Sequence, residues 1–155
     1  MLEFPAVNSA TDGKNVWWHS KVHLGLAVLL EHGLMVPVIR DAAELTLEQI
    51  HRRATELADK ARAGKLAAEE MTGSTFTVSN LGMFDVENFT AIINPGEGAI
   101  LAVSSVRDEP VVKDDQIVVR SMMKMTLSAD HRLIDGALAA RFLNAIKNRL
   151  EESGL

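Results

Sequence analysis

Two stretches of this sequence carry a helical stripe, and nearly everything between them reads as strand and turn. The first opens at Thr46-Leu47-Glu48-Gln49, a capping box in which Thr46 and Gln49 each satisfy a free amide. Leu47, Ile50, Ala54, Leu57, Ala58 and Ala61 then share one face, charged residues fill the other, and Gly64 is a natural stop. The spacing predicts a helix to about Lys60–Arg62, roughly 25 Å long and able to cross one face of a sheet. The second stripe runs from Asp135 to about Leu150 through Leu138, Phe142, Leu143, Ile146 and Leu150. With no regular strand–helix repeat, the pattern predicts an α+β fold of two layers, a mixed or antiparallel sheet with helices on one side.

The strand signals are uneven. Residues 1–20 hold turn formers and the pair Trp17-Trp18 but no clear first strand, and the tryptophans suit packing or subunit contact. His23 to Leu30 reads as a buried strand, Glu31-His32-Gly33 as a turn, and Leu34 to Ile39 as the partner strand. Pro37 cannot donate a ladder bond, so that partner lies at an edge or is interrupted there. Thr75 to Val78, Phe89 to Ile93 and the apolar run Gly98 to Val106 follow as strand signals. Lys113-Asp114-Asp115-Gln116 reads as a hairpin tip between Val111-Val112 and Ile117-Val118-Val119. From Ile117 to Ala129 one long alternation reads as a single strand that delivers His131 to its end.

A chain of 155 residues with 47% apolar and 24% charged residues is one ordinary globular domain. A net charge of -5 without a basic cluster argues against nucleic-acid binding. The lack of cysteine removes disulfides, thiolate metal sites and cysteine nucleophiles. No apolar run reaches membrane-spanning length, and the start does not resemble a signal peptide.

Five histidines are present: His19, His23, His32, His51 and His131. His19 and His23 stand four apart in a segment that reads as extended, so they would lie about 13 Å from each other and make a poor metal pair. His51 sits on the first helix beside two arginines, and His32 belongs to a turn. His131 remains as the candidate base, because an ordinary imidazole near pKa 6.5 takes up and returns a proton around neutrality. In Asp130-His131-Arg132-Leu133-Ile134-Asp135-Gly136 the bland reading is a loop whose Asp135 caps the next helix; the other is that Asp135 orients the imidazole or serves a nearby partner. Ser79, just ahead of Asn80-Leu81-Gly82, reads as a nucleophile, an oxyanion donor or merely a turn former. Gly-x-Ser-x-Gly is absent, and so is a phosphate-binding glycine loop.

Taken together, several stretches resemble the catalytic core of the dihydrolipoyl acyltransferases of 2-oxo-acid dehydrogenase complexes. They are Leu24-Gly25-Leu26-Ala27-Val28, Gly33 to Arg40, Phe76 to Phe84, Ile92-Ile93-Asn94-Pro95, Ala99 to Val103, and Leu127 to Gly136. The resemblance implies a fold similar to chloramphenicol acetyltransferase, a mixed sheet with helices on one face. It implies that residues 1–155 are one domain, the carboxy-terminal part of the core, without a lipoyl or subunit-binding domain. Family cores carry a basic helical segment ahead of the match at Pro5-Ala6-Val7-Asn8. Beginning after it, this chain is expected to lack part of the coenzyme A site and an arginine partner for Asp135.

The resemblance also implies acyl transfer from S-acyl-dihydrolipoamide to coenzyme A in a ternary complex, with the lipoyl group on a separate domain and no metal. It makes His131 the general base, Asp135 the acidic residue of the motif and Ser79 the donor to the oxyanion. Moving a proton from a thiol near pKa 8.5 to an imidazole near 6.5 is uphill by about 2 units, roughly 2.7 kcal/mol, which a positioned histidine tolerates. A homotrimer or a multiple of trimers is implied, with histidine and serine supplied by different subunits. Its partners would be lipoyl domains and the dehydrogenase components, in the cytoplasm or the mitochondrial matrix. Two alternatives stay open. One is a catalytically weak structural core. The other is an O-acyltransferase like the chloramphenicol enzyme, whose motif has a second histidine where this chain has Asp130.

Overall fold

The computed structural model describes residues 1–31 and 33–152, so the turn expected at His32 lies outside the described residues. A short turn of helix at Pro5–Asn8 leads into a small hairpin, β1 (Ser9–Thr11) and β2 (Val16–Trp18). Ser9 pairs with Trp18 and Thr11 with Val16. The sequence reading found no strand here because three residues are too few to display an alternation. Trp17 and Trp18 stay 47% and 60% exposed, so they do not pack into the core of this chain.

β3 (Leu24–Leu30) carries two short antiparallel partners, β4 (Gly33–Met35) and β5 (Val38–Ile39). The interruption falls at Val36-Pro37, and the Pro37 carbonyl still accepts from the Leu26 amide. α1 (Leu47–Arg62) starts on the Thr46–Gln49 capping box and ends at Gly64, which takes φ +66°. Leu47, expected on the buried stripe, is instead 71% exposed. As the first helical residue it precedes the turns that dock.

β6 (Phe76–Asn80) lies parallel to β3, and β7 (Ala99–Val103) lies parallel to β6. β8 (Arg107–Lys113) and β9 (Gln116–Met122) form a separate hairpin, turned by Asp114 and Asp115, both at positive φ. β10 (Met125–Ala129) returns antiparallel to β7, and α2 (Gly136–Glu152) closes the fold. The main sheet runs β10-β7-β6-β3-β4, parallel at its centre and antiparallel at its edges, with β5 also on β3. Among the described residues no helix is long and apolar enough to cross a membrane.

Two further expectations are corrected. The long strand from Ile117 to Ala129 is broken at Met123-Lys124: Met122 pairs with Arg107 in the hairpin, Met125 with Val103 in the main sheet. A two-residue break keeps the period-2 parity, so the alternation runs through it undisturbed. Phe89 to Ile93 is not a strand, and Ile92 is 91% exposed. This segment lies against the sheet through side-chain bonds in place of a ladder. Ser128 Oγ donates to the Ala91 carbonyl at 2.6 Å, Thr126 Oγ1 bonds Asn88 Oδ1 at 2.9 Å, and Asn94 Nδ2 donates to Thr77 Oγ1 at 2.9 Å.

The two faces of the sheet differ. One buries Phe76, Ala99 and Leu101 under α2, where Phe142 meets Phe4 and Phe76 edge-on at 5.6 and 5.9 Å. Val22, Ile39, Ala42 and Leu57 continue that layer under α1. The helices thus share one face, the two-layer arrangement expected. On the other face the register aligns Gly25 and Ala27 of β3, Thr77 and Ser79 of β6, and Ile100 and Ala102 of β7. Around Ser79, next to Ala27 and Ala102, the side chains are small.

Candidate active site

His131 stands on the turn joining β10 to α2. The Asp130 amide donates to the Gly98 carbonyl at 2.9 Å and so extends the β10–β7 ladder by one bond. The amides of Leu133 and Ile134 then return to the Asp130 carbonyl at 2.9 and 3.0 Å. Ile134 is buried in the core beside Phe142. Pinned on both sides, the turn leaves His131 exposed at its corner. Among the described residues no hydrogen bond reaches its imidazole.

The carboxylates of the motif have separate duties. Asp130 accepts from the Arg132 guanidinium at 2.6–3.1 Å and from the Arg132 amide at 3.0 Å. The guanidinium first, then the amide, hold its pKa down at about 2. Asp135 Oδ1 accepts from the Leu138 amide at 2.8 Å, an N-cap on α2. That amide bond is the main reason its pKa is lowered, and the charge of His131 is the smallest contribution. The geometry is therefore that of the bland reading, in which Asp135 caps the helix. Asparagine caps as well as aspartate, so Asp135→Asn is expected to leave stability nearly unchanged, whereas Asp135→Ala lowers it measurably. Urea unfolding of the two variants checks this.

Ser79 is half-buried near the end of β6, level with Ala27 on one side and Ala102 on the other. Neither alanine crowds its hydroxyl. Ala102 is in turn level with Thr126, three residues before Ala129. Three residues along the strands and two strand spacings across put Ala129 about 14 Å from Ser79, and His131 lies beyond Ala129. Ser79 and His131 thus occupy opposite ends of one sheet, and a single protomer does not bring them together.

The other histidines are elsewhere. His23 Nδ1 accepts from the Asp41 amide at 3.1 Å, and burial is the main cause of its lowered pKa. Folding therefore disfavours the charged form, and stability should fall as pH drops below about 6.5, where the unfolded chain takes the proton first. Urea midpoints at acid and neutral pH should differ in the native protein, and the gap should shrink in His23→Gln, which can still accept from Asp41. His51 is exposed on α1. Among the described residues no group of three or more His, Cys, Asp or Glu side chains is placed to hold a metal.

One cluster escaped the sequence reading. Buried Glu97 accepts from Ser74 at 2.5 Å and from Thr77 at 2.7 Å, on the face that carries Ser79. Gly25 makes the room: a Cβ there would run into Thr77 Oγ1. The available signal was Thr77, two residues before Ser79 in the alternation of β6.

Comparison with known proteins follows the same lines. The family described as 2-oxoacid dehydrogenases acyltransferase (catalytic domain) matches residues 1–155. A dihydrolipoyllysine-residue acetyltransferase component of the acetoin cleaving system of Bacillus subtilis is 47% identical over 96% of this chain and 37% of its own length. A succinyltransferase component of the 2-oxoglutarate dehydrogenase complex of Cupriavidus necator is 44% identical over 98% of this chain and 36% of its own. The chain spans little more than a third of the length of these curated relatives. Among solved structures, the dihydrolipoamide acetyltransferase of Azotobacter vinelandii superposes with a TM-score of 0.91 at 43% identity, covering 96% of this chain and 62% of that one. The cubic core of a pyruvate dehydrogenase multienzyme complex gives 0.91 at 42% identity, again over 96% and 62%. A chloramphenicol acetyltransferase gives 0.57 at 13% identity over 94% and 70%, a likeness of fold alone. In the Azotobacter protein a serine, a histidine and an asparagine were investigated for their role in catalysis. They are separated by the same numbers of residues as Ser79, His131 and Asp135.

Proposed function

This chain belongs to the acyltransferase catalytic-domain family of 2-oxoacid dehydrogenases, and on that premise we propose that it moves an acyl group between dihydrolipoamide and coenzyme A. The observation that carries the reading is the pair Ser79 and His131. Each stands at an open end of the sheet, and their spacing matches the serine and histidine investigated in the Azotobacter relative. Because one protomer holds them apart, the working site is a seam: His131 of one protomer opposite Ser79 of another. A trimer, with an active site at each seam, is the assembly we propose, as the resemblance to the family's cores implies. The likeness to a cubic multienzyme core supports an oligomer of this kind.

At the seam His131 takes the proton from the coenzyme A thiol, and the thiolate attacks the thioester carbonyl of S-acyl-dihydrolipoamide. Ser79 donates to the oxyanion as it forms. The carbon–sulfur bond to the lipoyl arm then breaks, and His131 returns the proton to the departing sulfur. No acyl-enzyme is needed, because both sulfurs reach the carbonyl in one complex. Asp135 enters as the cap that orients α2 and its turn. An asparagine in the Azotobacter protein, at the same distance from its histidine, suits that role equally. The lipoyl group arrives on a separate domain, and the dehydrogenase components supply the acyl group.

The test is acyl transfer by the assembled protein from acetyl-, succinyl- and a branched-chain acyl-coenzyme A to free dihydrolipoamide, followed by chromatographic separation of the acyl-dihydrolipoamide formed. Saturable transfer of one of these acyl groups is expected. No transfer from any of the three, by a folded oligomer, would remove the assignment.

A further inference from the structure

The turn carrying His131 rests on the β1–β2 hairpin as well as on the sheet. Gly98, whose carbonyl receives the Asp130 amide, lies so close to the Ser9 backbone that a Cβ there would run into the Ser9 carbonyl and stand 3.1 Å from Leu133 Cδ1. Arg132 reaches the same hairpin. Its Nη1 lies where a Cβ on Gly13 would approach within 3.3 Å, and Gly13 holds φ +87°. The charge of Asp12 acts on Arg132 from that turn. On its other side the guanidinium gives Nε and Nη2 to both oxygens of Asp130. His131 is the residue between the two members of this ion pair, Asp130 and Arg132.

The Arg132 side chain is 62% exposed. An ion pair so open to water contributes little to stability. Its geometry is nonetheless fixed, because the fork is bidentate and the Arg132 amide bonds the same carboxylate. Such an arrangement restricts the backbone of a turn more than it stabilises a fold. We propose that Arg132 is a positioning residue for His131: bonded to Asp130 and lying beside the Asp12–Gly13 turn, it holds its own turn so that the imidazole keeps one orientation across the seam. The proposal rests on the reading of His131 as the base.

Misplacing a reacting group by about 1 Å can cost about 100-fold. Arg132→Gln is therefore expected to lower kcat about 10- to 100-fold while KM for coenzyme A stays within about twofold. Arg132→Lys should recover only part of the loss, because an ammonium cannot make two parallel bonds to one carboxylate. The distinguishing measurement is the double variant in the assembled protein. If Arg132 acts through His131, Arg132→Gln should remove nothing further once His131→Ala is present. Wild-type kcat in Arg132→Gln would overturn the proposal, as would an equal loss with and without His131. A fully active His131→Ala would remove the base assignment itself, a result separable from either of these.

Discussion

His131→Ala should lower acyl-transfer turnover by about 10²–10⁴-fold while the oligomer and its melting temperature stay close to wild type. The size follows from the step it removes. At neutral pH an ordinary thiol is mostly protonated and a poor nucleophile, so without an adjacent base the attack depends on the small thiolate fraction. The lack of a structural penalty follows from position. His131 is exposed at the corner of its turn, and the bonds that fix the turn come from the backbone of Asp130, Leu133 and Ile134 and the side chain of Asp130. Steady-state kinetics beside circular dichroism and light scattering check both halves. Near-normal turnover would take the base away from His131.

Ser79→Ala should reduce kcat by about 10²–10³-fold, with little change in KM for either thiol substrate. A donor aimed at an oxyanion acts only as charge develops, so its loss appears in turnover and not in ground-state binding. Its strand neighbours Ala27 and Ala102 are small, and alanine at 79 leaves no large void. Ser79→Thr is the useful contrast: it keeps a donor, adds a methyl and should retain more activity than alanine. A Ser79→Ala enzyme that loses KM and keeps kcat would make the hydroxyl a binding group.

Local chemistry was the part of this fold most readable in the sequence. The Thr46–Gln49 box, the Gly64 stop, the interruption at Pro37 and the tip at Asp114-Asp115 all act within a few residues, and each stands where the pattern put it. What the pattern missed depends on partners far along the chain. The break at Met123-Lys124 preserves the alternation while β9 and β10 pair with different strands. Phe89 to Ile93 has strand composition, but it is tied to β10 by Ser128 at the Ala91 carbonyl, and Asn94 just after it bonds Thr77 of β6. The site was half readable. His131 and Ser79 were found as residue types at turns and strand ends, and the resemblance gave them roles. That they lie at opposite ends of one sheet follows only from the order β10-β7-β6 and its registers. Glu97 was missed because a carboxylate in a turn segment reads as solvated until Ser74 and Thr77 are seen donating to it.

The seam between protomers can be tested without assigning a single contact across it. Chains carrying His131→Ala and chains carrying Ser79→Ala are co-expressed in equal amounts and the mixed assemblies purified. In a cyclic trimer each mixed ring holds one seam where an intact His131 meets an intact Ser79, so random mixing should restore about a quarter of wild-type turnover. Activity no higher than the mean of the two parent variants would mean that the residues do not meet across protomers.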